Sequence, residues 1–159
     1  MTRENECGGR ATSTVKHYDS PYFDSAKYDL NKSLDGDSST YWCSQKIDAG
    51  RKVWWKYNFA KGVQVRQIQL TTRYNRNYER ISIIAGNDCD TEVGTLLVNH
   101  ASIAEMNKFE IGDNHGVFMC YMIQFHLKKA SYVAIYEAIF FQGMPQLPHG
   151  MDIRAIRNL

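Results

Sequence analysis

Residues 53–86 read VWWKYNFAKGVQVRQIQLTTRYNRNYERISIIAG, and the spacing of their apolar side chains decides the fold. Val53, Trp55, Tyr57 and Phe59 fall at every second position, which places them on one face of a strand that ends at Lys61-Gly62. Val63 and Val65 keep one phase of alternation, whereas Ile68 and Leu70 keep the other. A single extra residue near Arg66-Gln67, a β-bulge, reconciles the two. Ile81, Ile83 and Ala85 then form a further strand, closed by Gly86-Asn87-Asp88.

The same period recurs outward from this stretch. Val117, Met119, Tyr121, Ile123, Phe125 and Leu127 alternate without interruption and predict a long strand, with Tyr132–Phe141 as its expected pairing partner. Shorter strands are expected at Thr95–Val98 and Lys108–Ile111. Only Asp24–Leu34 and the extreme C-terminus have the pattern of short helices. Strands at this density predict an all-β sandwich or jelly roll. The expected domain covers residues 1–143, followed by a tail, 144–159, that carries Pro145 and Pro148 and is read as disordered.

Composition narrows the function classes. A chain of 159 residues fits one domain, and 19 Lys plus Arg against 17 Asp plus Glu does not suggest a nucleic-acid binder. No stretch approaches the ~20 apolar residues of a membrane span, so the expected protein is soluble or peripheral. Met1–Gly9 is polar, consistent with a secreted chain whose signal has been removed or with an intracellular one. Cys7, Cys43, Cys89 and Cys120 show no zinc-ribbon spacing. Of the three possible pairings, Cys89 with Cys120 is the expected one, and four reduced thiols are the alternative. An oxidised pair implies an extracellular location. The five histidines show no ligand spacing, and no phosphate loop, serine elbow or carboxylate pair indicates an enzyme.

Two acidic features call for a cation. Glu137 is read on the same face as Val133, Ile135, Ile139 and Phe141, where an ionised carboxylate is costly unless compensated. The turn Leu34-Asp35-Gly36-Asp37 places two carboxylates two residues apart, and a distant carboxylate added to such a turn suits Ca²⁺. A salt bridge from Glu137 to an Arg or Lys is the alternative.

The pieces Trp54–Phe59, Gly62–Val65, Ile68–Arg73, Glu79–Ile81 and Ala85–Asn87 together resemble the F-type lectin family, within the discoidin or coagulation factor C-domain superfamily. Gly9–Ser13, Leu34–Asp37 and Tyr132–Ala138 follow the same order, so the resemblance spans residues 9 to 143. It implies a galactose-binding-domain-like jelly roll of about eight strands that binds fucose at one end. It also implies a sugar site at Lys46, Arg73, Asn75 and Arg80. Arg73 and Arg80 match the basic positions of the motif, while Lys46 stands for its His, Asn75 for its Asp, and Arg76-Asn77 for the adjacent cysteines of many members. The same resemblance implies a structural calcium site from the backbone of Lys32, Asp37 and Tyr136, the side chains of Asp35 and Glu137, and a contribution near Ser44.

Guanidinium groups grip neighbouring sugar oxygens through parallel N–H donors. With Asn75 unable to neutralise Arg73, the expected ligands shift from neutral fucose towards sulfated, sialylated or uronic glycans. The expected function is thus a calcium-supported, non-enzymatic lectin-like module for fucosylated or anionic glycans, secreted and possessing glycoprotein partners. Weak single sites favour a homo-oligomer. The alternative is a discoidin-type adhesion domain for a protein or an anionic membrane surface, using Tyr18, Tyr22, Phe23 and Tyr28 as aromatic spikes and Arg73, Arg76, Arg80 and Lys46 as a basic skirt. A third reading is an intracellular subunit of a larger assembly.

Overall fold

The computed structural model describes residues 10–13, 29–72, 78–89, 93–100, 106–112 and 115–142. The expected tail, 144–159, and the aromatic cluster Tyr18–Tyr28 lie outside the described residues. The elements are β1 (Arg10–Ser13), a 3-10 helix (Leu30–Ser33), β2 (Trp42–Cys43), β3 (Lys52–Val63), β4 (Val65–Thr72), β5 (Tyr78–Gly86), β6 (Thr95–His100), β7 (Met106–Glu110), β8 (Phe118–Leu127) and β9 (Ala134–Gln142). They form a five-stranded sheet ordered β1-β3-β8-β5-β6 and a four-stranded sheet ordered β2-β9-β4-β7. The strand pairings are antiparallel. This is the expected β-sandwich, with the apolar faces of both sheets turned inward.

The alternating positions of the opening stretch supply that interior. Val53, Trp55, Tyr57, Phe59, Ile81, Ile83 and Ala85 are all buried, as are Ile68 and Leu70 on the facing sheet. Phe140 of β9 lies 5.5 Å from the Tyr57 ring and 5.6 Å from Phe59, so one ring from the four-stranded sheet wedges into the aromatics of the other. The bulge expected near Arg66-Gln67 is present. Val65 pairs with Gln142 and Gln67 with Phe141, which leaves Arg66 as the extra residue.

The strand β3 does not stop at Lys61-Gly62. It runs to Val63, and one residue, Gln64, separates it from β4 in the other sheet. At this crossing the buried Tyr121 hydroxyl donates to the Val63 carbonyl (2.6 Å) and accepts from the Val65 amide (3.1 Å). Both groups flanking the crossing thereby find a partner in the interior.

Two further expectations are corrected. The strand β8 does not pair with β9. It lies between β3 and β5, while β9 lies between β2 and β4. The Lys128–Val133 connection carries the chain from one sheet to the other, so the two strands meet across the core, with Tyr121 and Phe140 rings 6.1 Å apart. Glu137 does not share the core face of Ile135. Thr72 pairs with Ile135 and Thr71 with Glu137, so Tyr136 is an extra residue that reverses the alternation. Ala138 and Phe140 then turn inward, and Glu137, Ile139 and Phe141 are half-buried.

Cys89 and Cys120 form a disulfide that ties the turn after β5 to the start of β8. It closes a loop with a sequence separation of 31. Removing it by Cys89→Ser with Cys120→Ser should cost about 3–4 kcal/mol in chemical denaturation, the chain entropy of a loop of that length.

Tyr121→Phe should cost about 2–3 kcal/mol, because it strands a buried carbonyl and a buried amide. Burial raises the Tyr121 pKa above its ordinary 10.0, against the lowering effect of its bond from Val65. The folded state therefore holds this proton more tightly than the unfolded state. Its contribution is full below pH 10 and is lost as pH rises through the raised value, so the gap between parent and Tyr121→Phe should narrow in alkaline melts.

Candidate functional site

One end of the sandwich carries two of the charged positions singled out above, Lys46 and Arg80. Lys52 at the start of β3 stands opposite His126 near the end of β8, and His126 stands opposite Arg80 near the start of β5. The connections that lead into β3, out of β8 and into β5 therefore emerge together. Lys46 is exposed in the first of them and Arg80 is exposed on β5. Arg73 and Asn75, with Arg76 and Asn77, lie outside the described residues, in the connection whose ends are Thr72 and Tyr78.

Two of these loops are fastened to each other. The Ile47 amide donates to the Ser131 carbonyl (2.8 Å) and the Ser131 amide to Ile47 (2.9 Å). Gly50 N–H donates to the Leu127 carbonyl at 2.9 Å. Gly50 has φ 77°, the left-handed region that disfavours side chains, and this lets the chain turn sharply into β3. The strap sets Lys46 opposite Tyr132, a residue that is 40% exposed. Arg51, Lys52, Lys128 and Lys129 are exposed on the same two segments.

These last five residues were missed by motif reasoning. Tyr132 reads as the first residue of a strand, and the pairs Arg51-Lys52 and Lys128-Lys129 are 76 residues apart or more in sequence. Only the β3–β8 register makes them neighbours. Chemically the rim offers guanidinium and ammonium donors around an aromatic face, a set suited to hydroxyl-rich or anionic ligands.

The residues that the resemblance implies as calcium ligands lie on the 3-10 helix, the turn after it, the segment after β2 and β9, and among the described residues no three metal-ligating His, Cys, Asp or Glu side chains gather. Asp29 caps the 3-10 helix by accepting from Asn31 N–H (3.0 Å), and Ser33 Oγ donates to the Leu30 carbonyl (2.6 Å). The Trp55 indole N–H donates to Ser33 Oγ (3.1 Å), which moors the helix to β3. Lys32 is in this helix, which packs against β9, the strand that carries Tyr136 and Glu137. Tyr136 is half-buried, with its ring 4.9 Å from that of Tyr41. The Glu137 Oε1 is buried.

The carboxylates of the following turn are partly engaged. Asp35 accepts from Asp37 N–H (2.9 Å) and Thr40 Oγ1 (2.6 Å). Asp37 accepts from both the hydroxyl and the amide of Ser39, and these bonds hold its pKa below 3.8. Ser44 Oγ donates to the Gln45 carbonyl (2.7 Å) and accepts from Val133 N–H (2.9 Å), so this hydroxyl locks β2 to the start of β9.

A family model described as the F5/8 type C domain matches residues 10–115. Among solved structures, chitosan-binding module 1 of a chitosanase/glucanase from Paenibacillus sp. IK-5 is similar, with a TM-score of 0.65 at 14% identity over 83% of this chain and 93% of that one. The family 32 carbohydrate-binding module of NanJ from Clostridium perfringens, in complex with galactose, gives 0.62 at 16% identity over 83% and 92%. A GH29 fucosidase from Ruminococcus gnavus, in complex with fucose, gives 0.65 at 13% identity over 86% of this chain but 26% of that one. At such identities the likeness is one of fold. No curated protein matches the sequence.

Ser33→Ala should leave the buried Trp55 N–H without its acceptor and cost about 1–3 kcal/mol in stability. Hydrogen exchange should accelerate at residues 30–40 and not in β8. Equal acceleration throughout would mean that Ser33 is not a local mooring.

Proposed function

The chain belongs to the F5/8 type C domain family, and we propose that within it this protein is a non-catalytic carbohydrate-binding module that takes anionic glycans at a rim with Lys46, Arg80 and Tyr132, to which the family motif also assigns Arg73 and Asn75. The observation that carries this reading is that exposed Lys46 and Tyr132, on two connections bridged at Ile47 and Ser131, and exposed Arg80, near the start of β5, lie at one end of the sandwich. The sugars named with its structural neighbours, galactose and GalNAc-β-1,3-galactose among them, support a saccharide as the ligand class.

The Tyr132 ring would pack against the C–H face of a pyranose, while Arg80 and Arg73 would grip vicinal hydroxyls or an acidic group. Where the family motif has an Asp this chain has Asn75, which brings no charge to offset Arg73, and on this reading the rim favours sulfate or carboxylate over neutral fucose. The Cys89–Cys120 bridge supports an extracellular setting.

A structural Ca²⁺ belongs to the same reading. The donor types suit a hard cation, with backbone carbonyls at Lys32, Asp37 and Tyr136 and carboxylates at Asp35 and Glu137, although no group of three metal-ligating His, Cys, Asp or Glu side chains gathers among the described residues. Lys32, Asp35, Asp37, Tyr136 and Glu137 would hold it, with Ser44 maintaining the β2–β9 contact beside them. Bound there, the ion would supply charge compensation and pin the 3-10 helix segment to β9.

A glycan array spanning neutral, sulfated, sialylated and uronic sugars tests the ligand class. Binding should concentrate on the anionic members and weaken with salt, and Arg80→Ala and Tyr132→Ala should each lose about tenfold or more. Binding confined to neutral sugars would overturn the proposal. For the metal, chelation should lower the Tm by several degrees, because an ion present at a hundredfold excess over its Kd stabilises by about 2.7 kcal/mol. An unchanged melt would remove the calcium site.

A further inference from the structure

The exposed cations at this end extend beyond the Lys46–Arg80 rim. Exposed Lys52 and Arg80 flank the buried His126 across β3, β8 and β5, so the three share one face of the five-stranded sheet. Lys52 and Arg80 are two strand spacings apart, ~10 Å, roughly the length of a disaccharide. Arg51 borders Leu127, whose amide donates to the Arg51 carbonyl (3.4 Å), and Lys128 and Lys129 follow directly. Lys46 and Tyr132 flank the Ile47–Ser131 bridge on the same pair of loops.

Charge is unbalanced along this row. Segments 44–52 and 128–133 contain five cations, Lys46, Arg51, Lys52, Lys128 and Lys129, against one carboxylate, Asp48. All five are exposed. Within a Debye length of ~8 Å they raise one another's potential, and a ligand with a single acidic group neutralises only a fraction of that field. The backbone strap fixes both segments, so binding need not first order them.

We propose that Arg51, Lys52, Lys128 and Lys129 form a polyanion-binding track that continues the sugar rim, and that the ligand is an extended glycan with repeating sulfate or carboxylate groups. This rests on the reading of the rim as a glycan site, and it adds the length and charge density of the ligand. A lipid surface is the alternative that the test separates: among the described residues, exposed Met106, opposite Thr71 at this end of the sandwich, and Tyr132 are the large apolar side chains near the cations, whereas Val93, Leu96 and Val117 lie towards the other end.

The test compares a heparin-derived dodecasaccharide with the matching disaccharide by titration at several salt concentrations. The proteins are the parent, Arg80→Ala, the double variant Lys128→Ala with Lys129→Ala, and its charge-conserving counterpart with Arg at both positions. The parent should bind the longer chain at least about tenfold tighter, with a steeper loss of affinity against salt. The Lys-to-Ala double variant should lose about tenfold on the dodecasaccharide and flatten the salt dependence, while its disaccharide affinity stays unchanged. The Arg counterpart should retain the parent's behaviour. Equal affinity of the parent for both lengths would overturn the track, as would an undiminished dodecasaccharide affinity in the Ala variant, and disaccharide binding sensitive to Arg80→Ala would leave the rim intact. Failure of the parent to bind either saccharide, with binding to phosphatidylserine vesicles instead, would overturn the glycan reading and the track together.

Discussion

Crossing from one sheet to the other within a single residue exposes two backbone groups to the interior, and this architecture depends on how they are satisfied. At Gln64 the answer is the Tyr121 hydroxyl, which serves as donor to Val63 and acceptor from Val65. An unpaired amide or carbonyl in that position would cost more than a typical surface interaction returns. The same tyrosine ring packs edge-on to Phe59 at 5.8 Å and lies close to Phe140. A polar clamp and an apolar wedge are thus one side chain, and the spacing of the two sheets is set where β3 becomes β4.

The rim inherits its geometry from that arrangement. Once β8 is central in the five-stranded sheet, its end at His126 aligns Lys52 and Arg80, and the connection after Leu127 must leave beside the connection into β3. Bulges then tune which side chains face where. The extra residue at Arg66 brings Ile68 and Leu70 into the core, and the extra residue at Tyr136 turns Phe140 inward and Glu137 outward from it. The half-buried Glu137 thus takes no apolar core position, which is why a carboxylate is tolerated on β9.

Much of the fold was legible because period-two alternation is a local property. Val53–Phe59, Ile81–Ala85 and the Val117–Leu127 run each announced a strand and its buried face, and even the phase switch at Arg66 was visible as a change in which positions were apolar. The Tyr136 bulge was not, since Val133, Ile135, Glu137, Ile139 and Phe141 alternate as smoothly as an unbulged strand, and both faces of β9 carry apolar residues. Pairing was misread for a related reason. Proximity in sequence favours a hairpin between β8 and β9, but nothing local records that the Lys128–Val133 connection crosses the sandwich.

By itself, then, the sequence determined the class of fold and the positions of the long strands, which follow from local spacing, while the Cys89–Cys120 pairing stood beside reduced thiols as an alternative until the structure showed the bridge. The tertiary structure decided the company those residues keep: Tyr121 under Gln64, Arg51 and Lys52 beside Lys128 and Lys129, Tyr132 beside Lys46. Such contacts depend on strand order and register, which are chosen by how two apolar faces close over one another. That choice is made by the whole chain at once, so no single stretch of it carries the record.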